Sequence, residues 1–98
     1  MDNLITVVTR FQLPAGITAE QMRAAFEDAA PKFRHVPGLV RKQFLHSKDR
    51  RTAGGVYLWN DERAARAFMT ERVAPMIREK FQVDPVIEFY DSPVMVEN

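Results

Sequence analysis

The stretch Leu39-Val40-Arg41-Lys42-Gln43-Phe44-Leu45-His46, followed by Val56-Tyr57-Leu58-Trp59, decides the fold. Both segments have the length and the β-branched and aromatic content of strands. Pro37-Gly38 supplies a turn before the first, and the polar run Ser47 to Ala53 reads as a hairpin loop, with Gly54-Gly55 opening the second strand. A hairpin at the middle of the chain then has to be fitted to what flanks it.

Upstream, Leu4 to Leu13 is a strand closed by Pro14-Ala15-Gly16, with Ile5, Val7, Thr9 and Phe11 on one face and Leu4, Thr6, Val8, Arg10 and Gln12 on the other. A helix follows. Thr18 is its N-cap, Gln21 completes a capping box, and Ile17 can staple to Met22. Met22, Ala25, Phe26, Ala29 and Phe33 recur at helical spacing, and Pro31 should end or bend the helix near Ala30. Downstream, Asn60 or Asp61 caps a second helix carrying Ala64, Ala65, Phe68 and Met69, with a break expected near Thr70 or Pro75 before Val73, Met76, Ile77 and Phe81. Val86 to Tyr90 is a last strand, stopped by Asp91-Ser92-Pro93. The order β-α-β-β-α-β is that of an α+β, ferredoxin-like sandwich with a four-stranded antiparallel sheet. One such domain accounts for residues 1–98.

In this architecture the helices cover one sheet face, and every strand carries apolar residues on both of its faces. The uncovered face therefore calls for a partner, most simply a second copy in a homodimer, making a dimeric α/β barrel. Fourteen basic and thirteen acidic residues leave a formal charge of +1, which provides no broad field for nucleic acid or an anionic membrane. No residue is cysteine, which excludes disulfides, thiolate nucleophiles and cysteine-based metal sites. His35 and His46 have no matching carboxylate pattern, so no metal is expected, and Gly54-Gly55 matches no phosphate loop. The N-terminal stretch lacks the pattern of a secretory leader and no segment is apolar enough to span a bilayer, so a cytoplasmic location is expected.

The segments Val36-Pro37-Gly38-Leu39-Val40-Arg41-Lys42 and Ala53-Gly54-Gly55-Val56-Tyr57-Leu58-Trp59 resemble the YdhR-like putative monooxygenase family. Ala64-Ala65-Arg66-Ala67-Phe68 and the ending Phe89-Tyr90-Asp91-Ser92-Pro93-Val94-Met95-Val96 extend the likeness over most of the chain. The resemblance implies a dimeric α/β barrel and a cofactor-independent monooxygenase acting on a small aromatic or polyketide-like compound. Its relatives also include haem-degrading enzymes, isomerases and proteins without an established reaction. The chain departs from the pattern at Val73, where relatives commonly carry tryptophan, and this implies a different pocket floor.

Without a cofactor, such an enzyme must turn its substrate into an electron-rich anion that can give an electron to O₂. That requires a base, a donor for the developing oxyanion and exclusion of water. His46 is the natural candidate base, and Lys42, Arg41 or Tyr57 can serve as donor. Trp59 can stack a substrate ring, with Phe44 and Arg10 as further contacts. A hairpin centred near Arg50 and Arg51 sets Lys42 across from Trp59 and Phe44 across from Tyr57, with His46 on the same face. A slip of one residue groups Arg41, Gln43 and Leu45 with the aromatics instead.

Each residue also has a structural role open to it. Tyr57 and Trp59 suit a core or dimer interface, Lys42 a snorkelling stem, His46 a surface site, and Arg10 an ion pair with Glu88. Two further functions use the same features: a non-catalytic homodimer that binds a small apolar ligand, and a cofactor-free isomerase. Haem degradation is disfavoured, since both histidines precede the second helix and leave it no axial ligand.

Overall fold

A computed structural model describes residues 3–98. Its elements are β1 (Ile5–Gln12), α1 (Ala19–Ala29), a 3₁₀ turn (Ala30–Phe33), β2 (Leu39–His46) and β3 (Thr52–Trp59), then α2 (Glu62–Phe68), a π-helical turn (Met69–Val73), α3 (Ala74–Phe81) and β4 (Val86–Asp91). The antiparallel sheet has the order β2-β3-β1-β4, which makes it an α+β, ferredoxin-like fold with β2 and β4 at the edges.

Local chemistry sets the helix boundaries. The Thr18 hydroxyl accepts from the Gln21 backbone N–H at 3.0 Å, and the Gln21 side chain accepts from the Thr18 N–H at 2.9 Å, so both halves of the capping box are formed. Pro31 converts the end of α1 into the 3₁₀ turn that carries Phe33. Asp61 caps α2 through the Ala64 N–H. The break expected near Thr70 or Pro75 takes another form. The helix runs on through Met69–Val73 with a widened turn, in which the Ala74 N–H bonds back to the Met69 carbonyl. Pro75 lacks an N–H and crowds the preceding turn, and widening that turn accommodates it without stopping the helix.

Helices cover the face of β1 that carries Ile5, Val7, Thr9 and Phe11, all buried. Register places Trp59 beside Ile5, Tyr57 beside Val7, Gly55 beside Thr9 and Ala53 beside Phe11, so β3 buries the same face. Met22, Ala65, Met69, Val73 and Ile77 close this core from the helices. Burying a side chain of this kind contributes about 1.5–3 kcal/mol, so this one layer carries most of the stability of a 98-residue chain.

The hairpin register differs from expectation by two residues. Lys42 pairs with Tyr57, Phe44 with Gly55 and His46 with Ala53, while Leu39 lies opposite Trp59. An even-numbered shift preserves the face, so Lys42, Phe44 and His46 do lie with the aromatics. The cause is a tighter loop. The Ser47 N–H bonds to the Thr52 carbonyl, and Arg50 takes the left-handed conformation (φ 69°) inside the turn. β3 therefore starts at Thr52, and Gly54-Gly55 sits within the strand. At Gly54, β1 and β3 approach so closely that a Cβ would stand 1.9 Å from the Thr9 carbonyl oxygen.

The open sheet face is mixed. Leu45, Val86 and Tyr90 are exposed there, and the same face carries Arg41, Gln43 and the Arg10–Glu88 ion pair at 3.2 Å. No helix among the described residues is long and apolar enough to cross a membrane.

Candidate functional site

Between the sheet and helices α1 and α3 lies a cavity of about 60 Å³. Phe11, Phe26, Phe33, Phe44 and Phe81 supply its aromatic wall, Met22, Val73, Met76 and Ile77 its aliphatic one, and Thr9, Lys42, Tyr57 and Lys80 its polar groups. Lys42 is central. Its Nζ donates to the Tyr57 Oη at 2.9 Å and sits 3.5, 4.0 and 4.4 Å from the ring centroids of Phe33, Phe44 and Tyr57.

Gly55 makes this placement possible. A Cβ there would stand 3.1 Å from the Gln43 carbonyl oxygen, 3.1 Å from the Lys42 Cε and 3.3 Å from the Tyr57 ring, so the glycine leaves room both for the neighbouring strand and for the lysine stem. Phe44 is braced by Phe26 at 4.8 Å and by Phe33 edge-on at 5.7 Å, and Phe33 also meets Tyr57 edge-on at 6.0 Å. The 3₁₀ turn brings Phe33 over the lysine, a local consequence of Pro31.

Electrostatics follow from enclosure. Loss of water lowers the Lys42 amine from 10.5 to about 7. The faces of three rings favour the ammonium form and partly oppose this. Burial also pushes the Tyr57 phenol well above its usual value, with a smaller opposite effect from the Thr9 hydroxyl. Near neutral pH the pair is thus an amine able to take a proton beside a phenol that keeps its own. A neutral amine and an O–H in an apolar cavity can accept a proton from a weakly acidic ligand and hydrogen-bond the resulting anion.

Of the residues singled out from sequence, Lys42, Tyr57 and Phe44 meet in this cavity. The others do not join them. His46 shares the face but lies past Phe44 at the sheet end, opposite Ala53, and its Nε2 is buried without a hydrogen-bond partner among the described residues. Trp59 is fully buried against Phe68, with ring centroids 5.7 Å apart, and is not one of the residues that line the cavity. Arg10 is on the open face, paired with Glu88. Arg41 lies opposite Leu58, also on the open side of the sheet. Phe26, Phe33 and Met76, which sequence reading places in the core, are cavity walls. The available signal was that their helix stripes must face whichever hairpin face carries Tyr57. Among the described residues no group of three His, Asp or Glu side chains could hold a metal ion.

Several solved structures share this fold. A protein of unknown function from Nitrosomonas europaea, NE2512, superposes with a TM-score of 0.77 at 16% identity, over 98% of this chain and 95% of that one. SnoaB, a cofactor-independent oxygenase from Streptomyces nogalater, gives 0.70 at 20% identity over 98% and 99%. The ActVA-Orf6 monooxygenase of Streptomyces coelicolor, solved in complex with nanaomycin D, gives 0.69 at 19% identity over 99% and 93%. Identities this low establish shared architecture. No curated protein sequence matches significantly. The family model described as putative mono-oxygenase ydhR matches residues 7–88, the span from β1 into β4 that builds the whole cavity, and the chain belongs to that family.

Proposed function

We propose that this protein is a cofactor-independent monooxygenase for a small hydroxylated aromatic compound, with Lys42 as base and Tyr57 as the hydrogen-bond donor to the anion. The observation that carries this reading is the near-neutral amine of Lys42, 2.9 Å from the Tyr57 hydroxyl inside an aromatic cavity. Family membership and the architecture shared with a cofactor-independent oxygenase and a monooxygenase support it.

In this mechanism the neutral Lys42 amine takes a proton from the substrate, leaving a delocalised carbanion or phenolate. The ammonium and the Tyr57 O–H hold the negative charge, and the surrounding rings exclude water. The anion passes one electron to O₂, and the resulting radical and superoxide combine to form a C–O bond. At a CH₂ centre the peroxide then loses water. One O₂ converts the CH₂ to a carbonyl and releases one H₂O, with no external reductant. His46, the base favoured by intrinsic pKa alone, lies off the cavity wall, and the role passes to Lys42.

The working unit in this reading is a cytoplasmic homodimer joined through the open sheet face. Exposed Leu45, Val86 and Tyr90 on that face support it. An oxygen electrode tests the function: an anthrone-type or hydroxynaphthoquinone substrate is supplied without flavin or metal. Uptake of one O₂ per carbonyl formed is expected, with Lys42→Met lowering turnover by at least about 100-fold. Binding with no O₂ uptake overturns the monooxygenase reading and leaves a binding protein. Proton exchange into the ligand without O₂ uptake makes it an isomerase.

A further inference from the structure

β1 sends four buried side chains into the core, Ile5, Val7, Thr9 and Phe11, and of these Thr9 alone is polar. It is 1% exposed and lines the cavity. A buried hydroxyl without a partner is destabilising, so valine would suit this layer better unless the oxygen has a task.

Its position supplies one. Thr9 lies opposite Gly55, and Lys42 lies opposite Tyr57. Because Gly55 has no side chain, the Tyr57 ring leans along β3 until its Cε1 is 3.3 Å from where a Cβ would stand. The Lys42 stem leans over the same residue from β2. The phenol is thus carried into the row that Thr9 occupies, with Lys42 on its other side and the Thr9 hydroxyl within hydrogen-bonding reach.

The Tyr57 Oη accepts from the Lys42 Nζ at 2.9 Å, so its own proton needs a different acceptor. Among the described residues no carboxylate, amide or imidazole side chain lines the cavity. Two acceptors remain, the Thr9 oxygen and the lone pair of the neutral Lys42 amine. They have opposite consequences, because a phenol that donates to the amine occupies the lone pair on which a base depends.

We propose that Thr9 is a positioning residue for Lys42: its hydroxyl takes the Tyr57 proton, so the phenol offers the lysine a lone pair and leaves the amine's own lone pair free. This rests on Lys42 being the base of the reaction proposed above. When the substrate anion forms, the phenol proton turns from the neutral threonine to that stronger acceptor. The other titratable groups around the amine are Tyr57, Lys80 on α3, and Arg34, His35 and Arg41, which line a groove on the outer side of Lys42. The residues of α1 and β1 on the cavity wall add none, and a change at Thr9 leaves all of these groups in place.

The test follows the Lys42 amine by NMR of the ligand-free protein carrying isotope-labelled lysine, with the parent midpoint expected at about 7. In Thr9→Val the phenol proton turns to the amine and stabilises its neutral form, so the midpoint should fall by about 0.5–1 pH unit. Thr9→Ser keeps the hydroxyl and should stay within about 0.2 unit of the parent. Simple loosening of the core would do the opposite, since water admitted to the cavity raises the amine toward 10.5. An unmoved or raised midpoint in Thr9→Val, or a fall just as large in Thr9→Ser, overturns the proposal. Turnover separates it from the reaction: with a hydroxylated aromatic substrate, kcat should fall about fivefold in Thr9→Val at similar KM. A lowered midpoint with no O₂ uptake by any of the three proteins sinks the oxygenase reading alone. O₂ uptake with an unmoved midpoint sinks the Thr9 assignment alone.

Discussion

Replacing Lys42 by methionine keeps the length of the side chain and removes its charge, and the structure sets what should follow. In the unfolded chain the amine holds its proton up to about 10.5, and in the fold only up to about 7. Between those values the unfolded state binds more protons, so stability rises with pH, at most by about 1.4 kcal/mol per pH unit. Below pH 7 the full cost of enclosing the ammonium remains, with a ceiling of about 5 kcal/mol. Three ring faces return about 0.5–2 kcal/mol of this, and the variant also removes the Lys42–Tyr57 hydrogen bond at about 1 kcal/mol. The net expectation is that Lys42→Met is about 1–3 kcal/mol more stable than the parent at pH 6. The parent should gain about 2 kcal/mol between pH 7 and 9 relative to the variant. Urea unfolding at pH 6, 7, 8 and 9 reads both quantities. A variant less stable than the parent at pH 6, with a parallel pH profile, would refute the picture of an enclosed, destabilised amine.

Other changes probe the parts around that amine. Tyr57→Phe removes the only phenol in the cavity and should lower kcat about 10- to 100-fold with little change in ligand affinity, as steady-state kinetics would show. Gly54→Ala drives a methyl group into the β1 backbone and should cost 3 kcal/mol or more (about the size of a severe steric lesion), measurable as a loss of thermal stability. Gly55→Ala crowds the Gln43 backbone carbonyl and the Lys42 stem equally, both at 3.1 Å, so kcat and thermal stability should fall together, by comparison of both assays. His46→Ala should leave turnover within about twofold, and a loss comparable to that of Lys42→Met would return the base to His46.

Much of this molecule is readable from its residues, and the unread part has physical causes. Thr18, Gln21, Pro31 and Asp61 act within a few residues of themselves, so local rules place the start of α1, its end near Ala30 and the start of α2 after Asn60 or Asp61. The shared face of Lys42, Phe44 and Tyr57 survives an error in register because side chains alternate with period two. The register itself depends on the Ser47–Thr52 turn and on Gly54-Gly55, which look like a strand start because glycine is depleted in strands. The close approach of β1 explains Gly54 in mid-strand, and the Gln43 carbonyl and the Lys42 stem explain Gly55. Depth is harder still. Trp59 and Tyr57 share a face, yet Trp59 packs on Phe68 at the end of α2 and Tyr57 borders the cavity between the sheet, α1 and α3, a difference set by which helix lies over each residue. His46 illustrates the same limit: near-neutral chemistry can be read from residue type, whereas an enclosed lysine acquires it only from its surroundings.

The central claim is that Lys42 creates the substrate anion on which O₂ acts, and anaerobic absorbance spectroscopy tests it most directly. A hydroxylated polycyclic substrate is mixed with the protein under argon across pH 6 to 9, and then O₂ is admitted. The account predicts the red-shifted spectrum of the bound anion growing in through about pH 7 with the parent and staying absent with Lys42→Met, then decaying as product forms on O₂ admission. An anion that forms equally well on the Lys42→Met variant, or a parent-bound substrate that remains protonated at pH 9, would contradict it.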